Sequence, residues 1–119
     1  MAVTALAWLG VRTPNADAMS AFYRDVLGLE AIHEGPAATW FRLGDGTQVH
    51  VYGADDDDHE FFGTAPVVGF AVESFPAAHA AMTAAGIRFL YPEPQQAGGQ
   101  MWQHFRTPDG NVYEIIGPA

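Results

Sequence analysis

The chain has 119 residues, enough for one domain with a real core and too few for two independent ones. Apolar residues make up 49% of it and charged residues 16%, a balance that excludes disorder. Fourteen acidic residues against five basic ones give a formal charge of -9; with no Lys and scattered Arg the chain lacks the basic face that nucleic acid needs, and the absence of Cys excludes disulfides and thiolate chemistry.

No apolar stretch approaches the roughly twenty residues that cross a bilayer, so no membrane association is expected. Met1 to Leu9 has neither a basic n-region nor a long apolar h-region, and a cytoplasmic location is the expectation. An acidic surface of this kind attracts cationic small molecules.

The first strand-like run is Leu6 to Arg12. Behind it, Met19, Phe22, Tyr23, Val26 and Leu27 recur at the spacing of one helical face. Thr13 is placed to cap this helix, Pro14 suits its first turn, and Gly28 supplies the left-handed residue that ends it. Extended segments follow at Leu29 to His33, Ala38 to Leu43 and Gln48 to Tyr52, with a hairpin turn at Gly44, Asp45 and Gly46. The acidic run Asp55 to Asp58 opens a linker to Thr64 and reads as a solvated loop, because a calcium loop spaces its carboxylates around a turn Gly.

The same order then repeats. A strand at Val67 to Val72 precedes a helix with Ser74 as N-cap, Pro76 in the first turn, Ala78, Met82 and Ala85 at helical spacing, and Gly86 at its end. Its alanine-rich face suits close packing on a sheet. Strands are expected at Ile87 to Tyr91, Met101 to Arg106 and Val112 to Ile116, with Pro108, Asp109 and Gly110 as the turn before the last. The helix-ending glycines Gly28 and Gly86 are 58 positions apart, so repeat one covers about residues 1–54 and repeat two about residues 65–119 of a single domain. Each is one βαβββ unit, and neither alone buries both faces of its sheet.

Two segments carry a resemblance to a known family. Ala21-Phe22-Tyr23-Arg24-Asp25-Val26-Leu27-Gly28-Leu29 resembles the "FY..VLGL" signature of the vicinal oxygen chelate superfamily, the glyoxalase, bleomycin-resistance and extradiol-dioxygenase group. Thr107-Pro108-Asp109-Gly110-Asn111-Val112-Tyr113-Glu114 resembles its closing "DPDGN..E" motif. The resemblance implies an α+β fold in which two βαβββ repeats form a half-open eight-stranded sheet around a ligand cavity, with two chains paired as a homodimer that completes each site. It does not fix the reaction.

Metal-dependent members of the family place one ligand on the first and one on the last strand of each half. By that resemblance the four positions are Trp8, His50, Val67 and Glu114. Trp offers only an N–H donor and Val offers nothing, so His50 and Glu114 alone remain as metal ligands and any divalent-metal set is incomplete. Strand alternation puts Gln48, His50 and Tyr52 on one face, and Trp102 with His104 on one face of the strand before Glu114. His50, His104 and Glu114 could complete a two-histidine, one-carboxylate set; the plainer alternative is a hydrogen-bonded polar cluster. Trp8, Trp102 and Tyr52, joined by Gln48, would wall a pocket for a flat, apolar or cationic ligand. Phe41 suits the core better, and the facing of Trp40, which shares its strand face with Arg42, is left open. His33, His59 and His79 have no ligand partner at useful spacing and read as surface or core residues.

Three functions compete. The first is metal-independent binding of a small aromatic or cationic molecule through Trp8, Gln48, His50, Tyr52 and Trp102. The second is a divalent-metal lyase, isomerase or dioxygenase using His50 and Glu114 with His104 as a further ligand or proton carrier. The third is cofactor-free acid–base catalysis in which His104 and Glu114 act with His50. No serine elbow, phosphate loop or dinucleotide fingerprint is present to support hydrolase, kinase or dehydrogenase chemistry.

Overall fold

A computed structural model describes residues 1–63, 65–108 and 110–119. Thr64, the expected end of the linker, and Asp109, in the expected last turn, lie outside the described residues. The elements run β1 (Val3–Arg12), α1 (Ala16–Ala21), a π-helical turn (Phe22–Val26), β2 (Glu30–Glu34), β3 (Ala38–Arg42), β4 (Gln48–Tyr52), a single 3-10 turn (Glu60–Phe62), β5 (Val67–Val72), α2 (Phe75–Ala84), β6 (Gln95–Ala97), β7 (Gln100–Arg106) and β8 (Val112–Pro118). The α+β class and the doubled βαβββ order are as the sequence leads one to expect. The chain divides into two compact units, Trp8–Val67 on the one hand and Met1–Ala7 with Val68–Ala119 on the other.

In the Trp8–Val67 unit, β3 lies antiparallel between β2 and β4, and the second half of β1 runs parallel to β4. One face is the core: Phe41, Val49 and Val51 are buried together and Leu9, Ala16, Met19, Tyr23, Leu29 and Ala31 pack on them. Phe41 is fully buried, as its alternation with Trp40 requires once one face is the core. The helix that covers this face differs from expectation at both ends. Asn15, not Thr13, stands at the N-cap; the Thr13 hydroxyl instead accepts from the Asn15 backbone N–H at 3.0 Å, forming a turn before the helix. The last turn widens, with Leu27 N–H reaching back to Phe22 O at 3.1 Å and Leu29 N–H to Tyr23 O at 3.0 Å. That widening keeps Met19 and Tyr23 on the core but leaves Phe22, Val26 and Leu27 exposed, so the expected apolar face is only partly buried. Gly28, at φ 71°, ends the turn as expected.

In the other unit, β5 runs parallel to β8, while β7 is antiparallel to both β8 and β6. Helix α2 has the expected cap, the Ser74 hydroxyl oxygen accepting from Ala77 N–H at 3.3 Å, and lays Phe75, Ala78 and Met82 against Val72, Phe105 and Ile115. The expected strand Ile87 to Tyr91 is not one. It makes a single bridge, Phe89 to Phe105, and the strand that pairs with β7 is Gln95–Ala97 further on. Phe89 and Ile87 pack on the core and draw the segment off the sheet edge, leaving the ladder positions to a more polar stretch. No helix among the described residues is long and apolar enough to cross a membrane.

Candidate functional site

Opposite the Phe41 core, the first unit carries a row of rings. The register sets His33 beside Trp40, Trp40 beside His50 and His50 beside Gly10 across β2, β3, β4 and β1, the irregularity between Ala31 and His33 bringing His33 into line. Trp40 and His50 stack with centroids 4.5 Å apart and planes 10° from parallel, and His33 lies 4.7 Å beyond Trp40. Trp8 is two residues back along β1, opposite Gln48, yet its indole leans along β1 over Gly10; a Cβ at Gly10 would fall on that ring. The missing side chain therefore lets Trp8 reach His50, edge-on at 5.4 Å, and Phe62 of the 3-10 turn at 5.8 Å. Tyr52 stands edge-on to His50 and stacks on His59 at 3.8 Å. Trp40 thus belongs with the ligand-facing candidates and Arg42 is turned to an exposed pair with Glu30.

Both nitrogens of the His50 ring are engaged, Nδ1 with the Tyr52 hydroxyl and Nε2 with Gln48 Oε1, each at 2.8 Å. The Gln48 oxygen only accepts, so Nε2 carries the proton and the Tyr52 hydroxyl donates to Nδ1. Burial, with His59 and His33 adding like-charge repulsion, pushes the His50 pKa down to about 4, and the imidazole is neutral near pH 7. Three of the expected ligand-binding residues, Gln48, His50 and Tyr52, thus form one hydrogen-bonded line with Trp8 against it. His33 and His59, set aside on spacing alone, also join the cluster; nothing in strand periodicity points to a contact made from the linker.

In the second unit, His104 and Glu114 are register partners across β7 and β8, with His104 Nε2 3.0 Å from Glu114 Oε2 and both side chains buried. A residue that the sequence did not single out completes this group. The Tyr91 hydroxyl accepts from the His104 backbone N–H at 3.2 Å and lies 2.7 Å from His104 Nδ1. Its proton is directed to Nδ1, and the other ring nitrogen, Nε2, lies beside the Glu114 carboxylate. Burial lifts the Tyr91 hydroxyl to about 12, the His104 backbone N–H opposing and the Glu114 charge adding. Trp102, on the same strand face as His104, donates through its indole N–H to Gln95 Oε1 at 2.6 Å and is half-buried.

The metal positions that the resemblance implies do not fit a cation. Trp8 fills its own position with an indole, Val67 is a buried aliphatic, His50 has both nitrogens bound, and the Glu114 carboxylate faces His104. Among the described residues of the single chain, no group of three or more His, Asp or Glu could hold a metal ion.

The sequence profile of the Glyoxalase/Bleomycin resistance protein/Dioxygenase superfamily matches residues 5–115. The chain belongs to that superfamily. No protein of curated function matches it. Among solved structures, the Mn(II)-bound glyoxalase from Novosphingobium aromaticivorans is similar at 28% identity and a TM-score of 0.75; the match covers 97% of this chain but only 39% of that one. Methylmalonyl-CoA epimerase from Mycobacterium tuberculosis shares the fold at 19% identity and a TM-score of 0.76, covering 98% of this chain and 89% of the epimerase. A superfamily member from Vibrio splendidus 12B01 does so at 22% identity and a TM-score of 0.68, covering 92% and 95%.

Proposed function

We propose that this superfamily member binds a flat aromatic molecule, cationic ones included, without a metal, on the ring-lined face of Trp8, Trp40, His50 and Tyr52. The observation that carries the reading is the neutral His50, held at both nitrogens by Gln48 and Tyr52 and stacked on Trp40. A fixed uncharged imidazole between indoles offers π faces and almost no desolvation cost, which suits a planar ligand. Trp40 keeps 36% of its surface exposed and is the ring a ligand would meet, and a cation over an indole face gains further. Two chains paired as a homodimer in the cytoplasm belong to the same reading.

Titration of the whole protein with planar heteroaromatics, neutral and methylated to the cation, tests it by tryptophan fluorescence. Saturable binding, weakened about tenfold in Trp40→Ala, is the expected result. Absence of binding by every planar compound, or binding indifferent to Trp40→Ala, would remove the reading.

A second reading rests on a separate observation, the buried Tyr91, His104 and Glu114 line, which could exchange a proton with a bound substrate. The metal enzyme of the glyoxalase kind draws support from the 28% identity with the Mn(II)-bound glyoxalase but from no ligand set among the described residues. Elemental analysis of untagged protein, then titration with nickel, zinc, manganese and ferrous iron, separates these. Near-stoichiometric metal lost in His50→Ala and Glu114→Ala would install the metal enzyme in place of the binding protein.

A further inference from the structure

The aromatic-binding reading gives His59 of the first unit no task. Asp56 is buried while Asp55, Asp57 and Asp58 around it are exposed, so one member of the acidic run departs from the solvated loop expected of it. Its Oδ1 lies 2.9 Å from His59 Nδ1, and its Oδ2 accepts from the His59 backbone N–H at 3.0 Å. Arg12 fixes the turn from the other side, donating from Nη2 and Nε to the Asp56 carbonyl at 3.0 and 3.3 Å, with Nε 3.8 Å from Oδ2. A carboxylate only accepts, so Nδ1 carries a proton, and the tautomer protonated there alone has its lone pair on Nε2.

That ring is also held in place by stacking. It lies parallel to Tyr52 at 3.8 Å, Phe62 stands 5.0 Å away, and a quarter of the side chain is open to solvent. Tyr52 is the residue whose hydroxyl bonds His50, so His59 adjoins the ring-lined face. Within that face Gln48, His50 and Tyr52 satisfy one another and offer a ligand mostly ring surface. A carboxylate-oriented imidazole beside it adds a directed acceptor.

We propose that the Asp56–His59 pair is the polar recognition element for the ligand of the ring-lined face, with His59 Nε2 accepting a hydrogen bond from it. The ligand class is then a planar aromatic carrying a hydroxyl or N–H donor on its edge. This rests on the aromatic-binding reading above.

Calorimetric titration of the whole protein with 2-naphthol and 2-methoxynaphthalene, in which a methyl group replaces the donor hydrogen, tests it. The naphthol binds about tenfold more tightly than the ether, the size expected of one directed hydrogen bond in a partly open site. In His59→Phe, which keeps a ring against Tyr52 but removes the acceptor, the ratio falls to near one. In the unaltered protein, the 15N resonance of His59 Nε2 moves with the naphthol and not with the ether, a readout that needs no variant to fold. An equal affinity for both compounds in the unaltered protein, a preference that survives His59→Phe, or a silent Nε2 resonance overturns the assignment while leaving aromatic binding in place. If neither compound binds while other planar aromatics do, this assignment falls alone; if no planar compound binds, the aromatic reading falls with it.

Discussion

Because His50 gives one nitrogen to Gln48 and the other to Tyr52, protonating it would break a hydrogen bond as well as place a charge among rings. The two costs act in the same direction, and its pKa of about 4 lies below the value near 6.5 of an unfolded histidine. Between those limits the unfolded chain takes up a proton that the folded chain refuses. Stability is therefore full above pH 6.5 and is lost as pH falls through that window, by roughly 3 kcal/mol if the whole shift is realised. Urea unfolding from pH 7 to pH 4 should show this slope, and His50→Gln should flatten it. An unchanged slope in that variant would assign the acid sensitivity to other groups.

At the scale of elements, two glycines show how closely strands meet side chains. At Gly117 in β8 a Cβ would lie 2.5 Å from the Val72 carbonyl oxygen, a backbone atom fixed in β5. At Gly10 in β1 it would meet the outer ring of Trp8, which can swing away. Gly117→Ala is expected to cost roughly 3 kcal/mol and Gly10→Ala roughly 1 kcal/mol, the two ends of the range for overpacking. Gly10→Ala should also move the tryptophan emission, since the indole leaves His50. Thermal unfolding with fluorescence compares them, and equal costs would mean that the Trp8 ring is held as firmly as backbone. Legibility at this scale followed the same division. Val67 to Val72 and Gln48 to Tyr52 were read to the residue because alternation over a one-sided core leaves one register. Ile87 to Tyr91 was misread because its apolar residues pack on the α2 core without joining a ladder, and periodicity does not separate those outcomes.

For the whole molecule, charge sets the expectation. Two copies of a chain at -9 repel, and Phe22 and Val26 on the π-helical turn, with Leu27 just after it, are exposed apolar side chains. A homodimer held against its own charge should strengthen as salt rises from about 0.05 to 0.5 M, because screening removes repulsion without weakening apolar contact. Sedimentation across that range checks it; a monomer at every salt concentration would end the expectation of pairing.

The motifs at Ala21–Leu29 and Thr107–Glu114 carried the resemblance to the superfamily, and the rest of the amino-acid sequence determined the doubled βαβββ order and the strand faces that His104 and Glu114 share with their neighbours. Each follows from local signals: turn residues, caps, and periods of 2 and 3.6 that say which side chains share a face. It also determined that Trp8 and Val67 cannot ligate a metal, since that depends on atom types alone. Only the tertiary structure decided that Trp40 faces His50, that Trp8 folds over Gly10 to meet it, and that Tyr91, Asp56 and His59 join the two polar clusters. Those contacts are made across register, from a linker and an irregular segment, where the chain's direction is set by the packing of distant residues and carries no period for a sequence to display.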